Sequence, residues 1–328
     1  MELVKGSKGR MRQTLGLALI VKNEENEIKQ CIEACKGVDQ ISVVDTGSHD
    51  KTVDILREMG IKRLSVGEFN WPAPPDYTGV DFSAARNKSF DLLNTDWILF
   101  MDADERPDKG AIAALKYAID TVAPEIDVVN CVLYDNCGGK FPREKAFRNN
   151  SNMYFAGRIH EARYTPYAAF TPSPPIMIQY QPRPNTARDL AILREELAAD
   201  PNDLRLQYLA VREYFAVVDL PSAIYWGERF RRNSRKLGKF TQHYPDALHS
   251  TAWAYLNMAG AGQTTEIERA KELLLECLGF NADFKEAAKM LSAICGSEGN
   301  VLNQQRWQEF SEGAANRGLP FLKKDKAY

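Results

Sequence analysis

A short apolar run that ends in carboxylates limits most strongly what this chain can fold into. Residues 97–101 (WILFM) are followed at once by Asp102, Asp104 and Glu105. So brief a run predicts a buried central strand whose carboxyl end opens into a cleft, with a solvated loop as the alternative for a D-x-D pair alone. Paired carboxylates repel each other in a cleft, and a hard divalent cation such as Mg²⁺ or Mn²⁺ offsets that cost. Such an ion would suit a diphosphate substrate.

Segments typical of strands and helices alternate through the first half of the chain. In order they are a strand at 15–21, a helix at 24–35, a strand at 41–44, a helix at 52–59, a strand at 62–66, a helix at 82–93 and the strand at 97–101. This pattern predicts an α/β domain with a mostly parallel sheet and helices on both faces. Ligands bind such sheets at the carboxyl ends of the strands. Asn23, Asp45 and Asp102 all follow strands, so we expect them to converge on one cleft.

Composition points to an ordinary globular protein of two domains. The chain has 328 residues, 44% of them apolar, and a net charge of −2, which argues against a surface built wholly for nucleic acid. The longest apolar run, Leu15–Val21, is too short to cross a bilayer, and no small-residue cleavage site follows the basic N-terminus. We therefore expect neither a transmembrane segment nor a signal peptide. Six cysteines without a C-x-x-C pair indicate reduced thiols in a cytoplasm.

From residue 186 onward the pattern is entirely helical. Apolar residues recur at helical spacing, and the segment from Tyr208 to Ile224 resembles a tetratricopeptide helix pair. The proline-rich stretch before it is typical of a stiff linker. The expected division of the chain is a tail at 1–13, an α/β domain at 14–185 and a helical domain at 186–328.

Four polar motifs follow one another in the first half. They are LIVKNEE at 19–25, VVDTGSHDKT at 43–52, FSAARN at 82–87 and DADE at 102–105. In this order they resemble the motifs of family 2 glycosyltransferases with the GT-A fold, over roughly residues 14–185. The pattern is similar to that of bacterial and phage enzymes that join such a domain to tetratricopeptide-like helices, including peptide S-glycosyltransferases. The resemblance implies a nucleotide-diphosphate sugar donor, in the first place a UDP-sugar, a divalent metal and inversion at the anomeric carbon.

The resemblance also implies which residues bind the donor. They are Val21, Asn23, Glu24, Asp45, Arg86 and Asp102. Asp45 would accept a hydrogen bond from the nucleotide base, and Asp102 would hold the ribose or the metal. Arg86 would pair with the pyrophosphate or with a carboxylate of the pocket through its planar guanidinium. Outside this context Asp45 is a helix-capping turn residue and Arg86 a surface arginine.

A catalytic base is expected downstream. An inverting transfer needs a carboxylate that takes the acceptor's proton within hydrogen-bond reach. Residues 157–161 (GRIHE) match the family's glycine followed by His-Glu, so Glu161 is the candidate base, with Glu144 and Asp135 in reserve. A thiol acceptor would need less help, because its pKa of about 8.5 makes it easier to ionise than a hydroxyl.

The metal ligands implied by the resemblance are Asp102, Asp104 and His160. Related enzymes often complete the site with a histidine near the end of the domain, but Gln179 and Tyr180 stand there in this chain. The ion would then have fewer protein ligands, with donor phosphates and water filling its shell, or His160 would substitute.

The acceptor stays open between a peptide or protein, a saccharide and modified DNA. A basic stretch, Arg229–Lys239, is either a solvated helix end or a contact for a phosphate backbone, which would suit a phage-type enzyme acting on hydroxymethylated bases. A non-catalytic scaffold that binds proteins through its helices is the alternative from another class. A nucleotidyltransferase would need a glycine-rich phosphate loop after the first strand, and residues 21–25 contain no glycine.

Overall fold

The computed structural model describes residues 12–134, 140–150, 153–164, 177–179, 186–259 and 264–312. The chain divides into two compact units at residues 184 and 185. The first unit contains the strands β1 (Leu15–Val21), β2 (Gln40–Asp45), β3 (Arg63–Ser65), β4 (Trp97–Met101), β5 (Arg106–Pro107), β6 (Val128–Tyr134), β7 (Lys140–Arg148), β8 (Tyr154–Ala156), β9 (Ala162–Tyr164) and β10 (Met177–Gln179). Its helices are α1 (Ile28–Ala34), α2 (Thr52–Glu58), α3 (Phe82–Asp91) and α4 (Ala111–Thr121).

Eight of these strands form one mixed sheet in the order β3-β2-β1-β4-β7-β6-β10-β5. Strand β1 lies between β2 and β4 and is parallel to both. Only β7 and β5, among the strands described, run against the common direction. The predicted mostly parallel α/β sheet is therefore confirmed. The antiparallel β7, inserted between β4 and β6, was not predicted, and β8 and β9 form a separate ribbon.

Both faces of the large sheet are covered, which explains why β1 and β4 are apolar along their whole length. Leu17 and Leu99 pack with α1 and α4 on one face, whereas Phe100 packs with α3 on the other. Each fully buried side chain of this size contributes about 1.5–3 kcal/mol. The buried run thus fixes β4, and the charged residues that follow it begin where this cover ends.

The second unit is helical throughout its described residues. Its helices are α5 (Thr186–Ala199), α6 (Leu204–Ala216), α7 (Leu220–Leu237), α8 (Tyr244–Met258), α9 (Thr264–Phe280), α10 (Lys285–Ser297) and α11 (Val301–Glu312). Asp203 and Asp219 cap α6 and α7 by accepting backbone N–H groups from Leu206 and Ser222. Among the described helices, none combines the length and the apolar character needed to span a bilayer.

Candidate functional site

The ends of three neighbouring strands meet at one edge of the sheet. Val21 pairs with Asp45 across β1 and β2, and Leu19 pairs with Met101 across β1 and β4. Adjacent strands are about 4.8 Å apart, so the backbones at Asp45 and Asp102 flank the end of β1 at a separation of roughly 10 Å. The convergence expected from the sequence pattern is found at this edge.

Asp45 is buried and shapes the turn that follows β2. Its carboxylate accepts the backbone N–H groups of Gly47 and Ser48, each at 3.1 Å. Gly47 has a φ of +100°, and a Cβ there would lie 3.3 Å from the Asn70 Cα, so this turn requires glycine. Asp45 thus makes the hydrogen bonds expected of a turn residue. A carboxylate can accept about four hydrogen bonds, so Asp45 can accept another N–H group.

The loop after β1 is hydrogen-bonded to the loop after β2. Asn23, at a φ of 57°, donates its backbone N–H to Ser48 Oγ at 2.9 Å and accepts the backbone N–H of His49 at 2.8 Å. The Glu24 N–H donates to Thr52 Oγ1 at 2.7 Å. These hydrogen bonds fix the two loops relative to each other. The loops carry the residues that are expected from the sequence around the base and ribose.

Lys22 lies at the same edge of the sheet, and no role was predicted for it from the sequence. Its Nζ donates to the carbonyl oxygens of Trp71 and Pro72, the latter at 2.9 Å. Burial lowers the pKa of Lys22, while the Asp45 carboxylate acts in the opposite direction. Lys22 therefore attaches the proline-rich segment after β3 to the Asp45 turn.

The acidic turn after β4 carries three carboxylates in different environments. Asp102 is exposed and Asp104 half-buried, whereas Glu105 is only 3% exposed. Glu105 Oε2 accepts the backbone N–H of Asp102 at 3.0 Å, and Glu105 Oε1 lies 2.6 Å from the Nζ of buried Lys145. Burial raises the pKa of Glu105, and Lys145 opposes that rise. Glu105 is therefore part of the turn's support, while Asp102 and Asp104 remain nearer to solvent.

The donor set at this turn suits a hard divalent ion. Asp102 and Asp104 offer carboxylate oxygens, which Mg²⁺ and Mn²⁺ prefer, at a position where water and phosphate oxygens could complete the shell. In the described parts of the chain, no third His, Cys, Asp or Glu joins these two in a cluster of metal-binding size. The residues fit an ion with few protein ligands.

Arg86 and Glu161 form an ion pair beside β4. The Arg86 Nη2 lies 2.5 Å from Glu161 Oε1, and both side chains are largely buried. The guanidinium carbon lies 3.6 Å from the ring centre of Phe100 and 4.9 Å from that of Phe155. Arg86 thus meets a carboxylate, one of the two partners that the sequence left open, and its Nε has no hydrogen-bond acceptor among the described residues.

The segment that carries Glu161 is tied to α3. The Asn87 amide donates to the Phe155 carbonyl oxygen at 2.9 Å and accepts the Phe155 N–H at 2.8 Å. Arg158 Nε donates to the Val80 carbonyl oxygen at 2.8 Å, and the Phe82 N–H donates to the Arg158 carbonyl oxygen at 2.9 Å. The helix that supplies Arg86 therefore also positions the chain around Glu161.

The remaining predicted residues have different surroundings. His160 is exposed at a φ of 45°, and no described cluster of metal-binding size joins it to Asp102 and Asp104. Glu144, a reserve base, is exposed on β7. Asp135, the Gln179 side chain and Tyr180 lie outside the described residues. Their proposed roles stay predictions.

Comparison with known proteins gives a family match to the first unit. Residues 17–177 match the family described as "Glycosyl transferase family 2". The SPbeta prophage-derived glycosyltransferase SunS of Bacillus subtilis (strain 168) is 27% identical over 266 residues, which are 75% of this chain and 60% of SunS. A TPR repeat-containing protein of Synechococcus elongatus is 32% identical over 151 residues, 45% of this chain and 34% of that protein. The chain therefore spans less than two thirds of these relatives.

Solved structures include a similar chain of the same extent. The S. aureus TarS 1-349 structure in complex with UDP-GlcNAc is 13% identical, with a TM-score of 0.42, over 94% of this chain and 93% of that chain. The family match covers β1 to the start of β10, the segment that builds the mostly parallel sheet. Residues 17–177 therefore form a glycosyltransferase family 2 domain with the GT-A fold.

Proposed function

We propose that the chain is an inverting glycosyltransferase, which moves a sugar from a UDP-sugar to an acceptor hydroxyl or thiol with Mn²⁺ or Mg²⁺ bound. One arrangement carries the proposal. Asp45 and the Asp102/Asp104 turn share one sheet edge, and the Arg86–Glu161 ion pair joins the same strand through Phe100. Donor ligands and a base are thereby supported by one rigid element.

In this proposal the residues have separate tasks. Asp45 receives the nucleotide base. Asp102 and Asp104 would hold the metal ion, which when bound would supply positive charge beside the diphosphate. The acceptor oxygen or sulfur forms a bond to the anomeric carbon while the bond between that carbon and the donor phosphate oxygen breaks. The electron pair of the broken bond leaves with UDP. Glu161 takes the acceptor proton, and Arg86 orients the Glu161 carboxylate.

The test is UDP release from UDP-sugars with Mn²⁺, compared between wild type and Asp104→Asn. We expect the substitution to lower turnover by at least about 100-fold, because even the loss of a residue that supports a metal ligand costs 10–100-fold. Asp54→Asn is the matched control, since Asp54 is an exposed aspartate in α2 paired only at 3.5 Å with Arg57. Equal turnover in Asp104→Asn, or no release from any nucleotide sugar, would contradict the proposal.

For the acceptor we propose a peptide or protein. Stacked helix pairs like those of the second unit commonly bind such partners. The DNA alternative is less well supported, because two arginines of the basic stretch already pair with Glu276: Arg231 at 2.6 Å and Arg235 at 2.9 Å. Mass spectrometry of peptide, saccharide and hydroxymethylated DNA acceptors separates these cases.

A scaffold without catalysis would keep its partner after Asp102→Asn and Asp104→Asn, whereas an enzyme loses turnover.

We also propose a cytoplasmic location. It agrees with the five cysteines in the described residues, which are all unpaired and buried.

A further inference from the structure

A buried lysine–glutamate pair lies directly beneath the acidic turn. Lys145 on β7 is 6% exposed and Glu105 is 3% exposed, and their charged atoms approach to 2.6 Å. The same carboxylate accepts the backbone N–H of Asp102 at 3.0 Å. The pair therefore connects β7 to the first residue of the turn, at the point where β4 ends.

Arg86 and Lys145 both approach the ring of Phe100. The Lys145 Nζ lies 5.2 Å from the Phe100 ring centre, and the Arg86 guanidinium carbon lies 3.6 Å from it. One aromatic side chain thus lies near both the cation that pairs with Glu105 and the cation that pairs with Glu161. This contact gives the two halves of the candidate site a common support.

A second lysine–carboxylate pair of the same design stands at the opposite end of the sheet. Lys116 is 7% exposed and lies 2.8 Å from Asp39, which accepts the backbone N–H of Leu15 at 2.7 Å. Leu15 begins β1, whereas Asp102 follows the carboxyl end of β4. Each pair fixes a strand end through one backbone N–H, although Asp39 is the more exposed carboxylate. The Lys116 pair therefore provides an internal control remote from the candidate site.

Burying such a pair is a poor way to gain stability. Desolvation of two charges offsets most of their attraction, and apolar residues of similar volume often serve the fold as well. An apolar core already surrounds β4, so stability alone does not account for a charged pair at this position. A carboxylate held by a lysine, however, fixes a backbone N–H more rigidly than solvent does.

We propose that Glu105 and Lys145 are positioning residues that hold the Asp102–Asp104 turn in the geometry that binds a divalent metal with a nucleoside diphosphate. The inference rests on the proposed function. Both side chains are buried, so the pair acts through its bond to the Asp102 backbone. Its removal should therefore weaken binding of the metal–diphosphate complex and leave the chemical step largely unchanged.

The experiment compares Lys145→Met with Lys116→Met in the full chain, using Mn²⁺ with UDP as the probe. Calorimetric titration measures affinity, thermal unfolding measures stability, and UDP-sugar hydrolysis gives KM for Mn²⁺ and kcat. We expect Lys145→Met to weaken Mn²⁺–UDP binding and raise KM about 10–100-fold, with kcat within about threefold of wild type. Lys116→Met should leave affinity and KM unchanged, whatever its stability.

A second variant covers the case in which Lys145→Met does not fold. Glu105→Leu with Lys145→Met replaces both buried charges by apolar side chains of similar volume and removes the acceptor of the Asp102 N–H; such paired replacements are often neutral for stability, so we expect it to fold. Weakened Mn²⁺–UDP binding in this variant supports the inference, and wild-type affinity overturns it. Equal losses of affinity in the Lys145 and Lys116 variants overturn it as well. Absence of Mn²⁺–UDP binding in the wild-type chain would instead overturn the proposed function.

Discussion

Arg86 is held by an ion pair and by two aromatic rings. Phe100 and Phe155 lie near its planar guanidinium, and Glu161 neutralises it. A buried ion pair of this kind is costly to break, because the remaining partner keeps an uncompensated charge. Glu161 consequently has a fixed direction in the protein, which a proton acceptor in catalysis needs.

Glu161→Gln should lower turnover with the natural acceptor about 10²–10⁴-fold, the usual contribution of a general base, and leave Mn²⁺–UDP affinity unchanged. Glu144→Gln is the matched control, because Glu144 is the other described candidate base and is exposed on β7. Steady-state kinetics and calorimetry measure the two quantities. A larger loss of turnover in the Glu144 variant would transfer the role of base to Glu144.

At the residue scale, the sequence predicted the position of a side chain where it follows a strand, whereas its role stays a prediction. Asp45 and Asp102 were found at one edge because strand ends determine their positions. Lys22 and Lys145 were missed, because their roles depend on partners far away in the chain, such as the Pro72 carbonyl oxygen. No alternation along β7 marks Lys145, since residues 143–145 are all charged and the pairing of β7 with β6 shifts register beside Lys145.

At the scale of elements, the contact between α7 and α8 depends on one missing side chain. A Cβ on Gly227 would lie 1.9 Å from Thr251 Oγ1, and Thr251 is buried on α8. The Thr251 hydroxyl donates to the Ala247 carbonyl oxygen at 2.7 Å and so cannot turn away without losing that bond. Gly227 therefore sets how closely these two helices approach.

Gly227→Ala should destabilise the protein by about 1–3 kcal/mol, because an added methyl group overpacks this contact. Gly279→Ala in α9 is the control, since a Cβ there would meet no neighbouring atom of the described chain within 4 Å, and it should be neutral or stabilising by up to about 1 kcal/mol. Urea unfolding of the full chain measures both changes. Equal stability of the two variants would contradict the close approach at Gly227.

Elements were predictable to the extent that local patterns determine them. Helical periodicity predicted the all-helical second half, and the apolar run predicted β4. The antiparallel β7 escaped because its sequence, KFPREKAFR, has three charged residues in a row and no regular alternation, and its place between β4 and β6 depends on pairing across the sheet. The predicted helix at 24–35 begins only at Ile28, after the Asn23 loop has made its bonds to the second loop.

At the scale of the whole molecule, each unit has its own apolar core. The sheet unit buries residues of β1, β4, α1 and α4 together, and the helical unit buries residues of α7 to α11. A titratable group lies beside the second core. The ring centres of His249, on α8, and Phe284 are 5.1 Å apart. Burial lowers the pKa of His249, while Glu286 and Asp246 act in the opposite direction.

This lowered pKa predicts that the helical unit loses stability as the pH falls. Below about 6.5 the unfolded chain binds a proton at His249 that the folded chain resists, so stability present at neutral pH decreases on acidification. His249→Leu should reduce the decrease, whereas His49→Gln, at an exposed histidine, should not. Hydrogen exchange in α8 at about pH 7 and 5.5, corrected for intrinsic rates, measures the difference. An unchanged pH dependence in His249→Leu would refute the prediction.

The bonds between the Asn87 amide and both backbone groups of Phe155 have a consequence for how this protein can vary. A ribbon of two three-residue strands is too small to keep its shape in water by itself. The Asn87 side chain, on α3, bonds β8 on the side opposite β9 and so takes the place of a third strand. Position 87 is therefore less free to vary than its place on a helix suggests, because the segment between β8 and β9 contains Glu161.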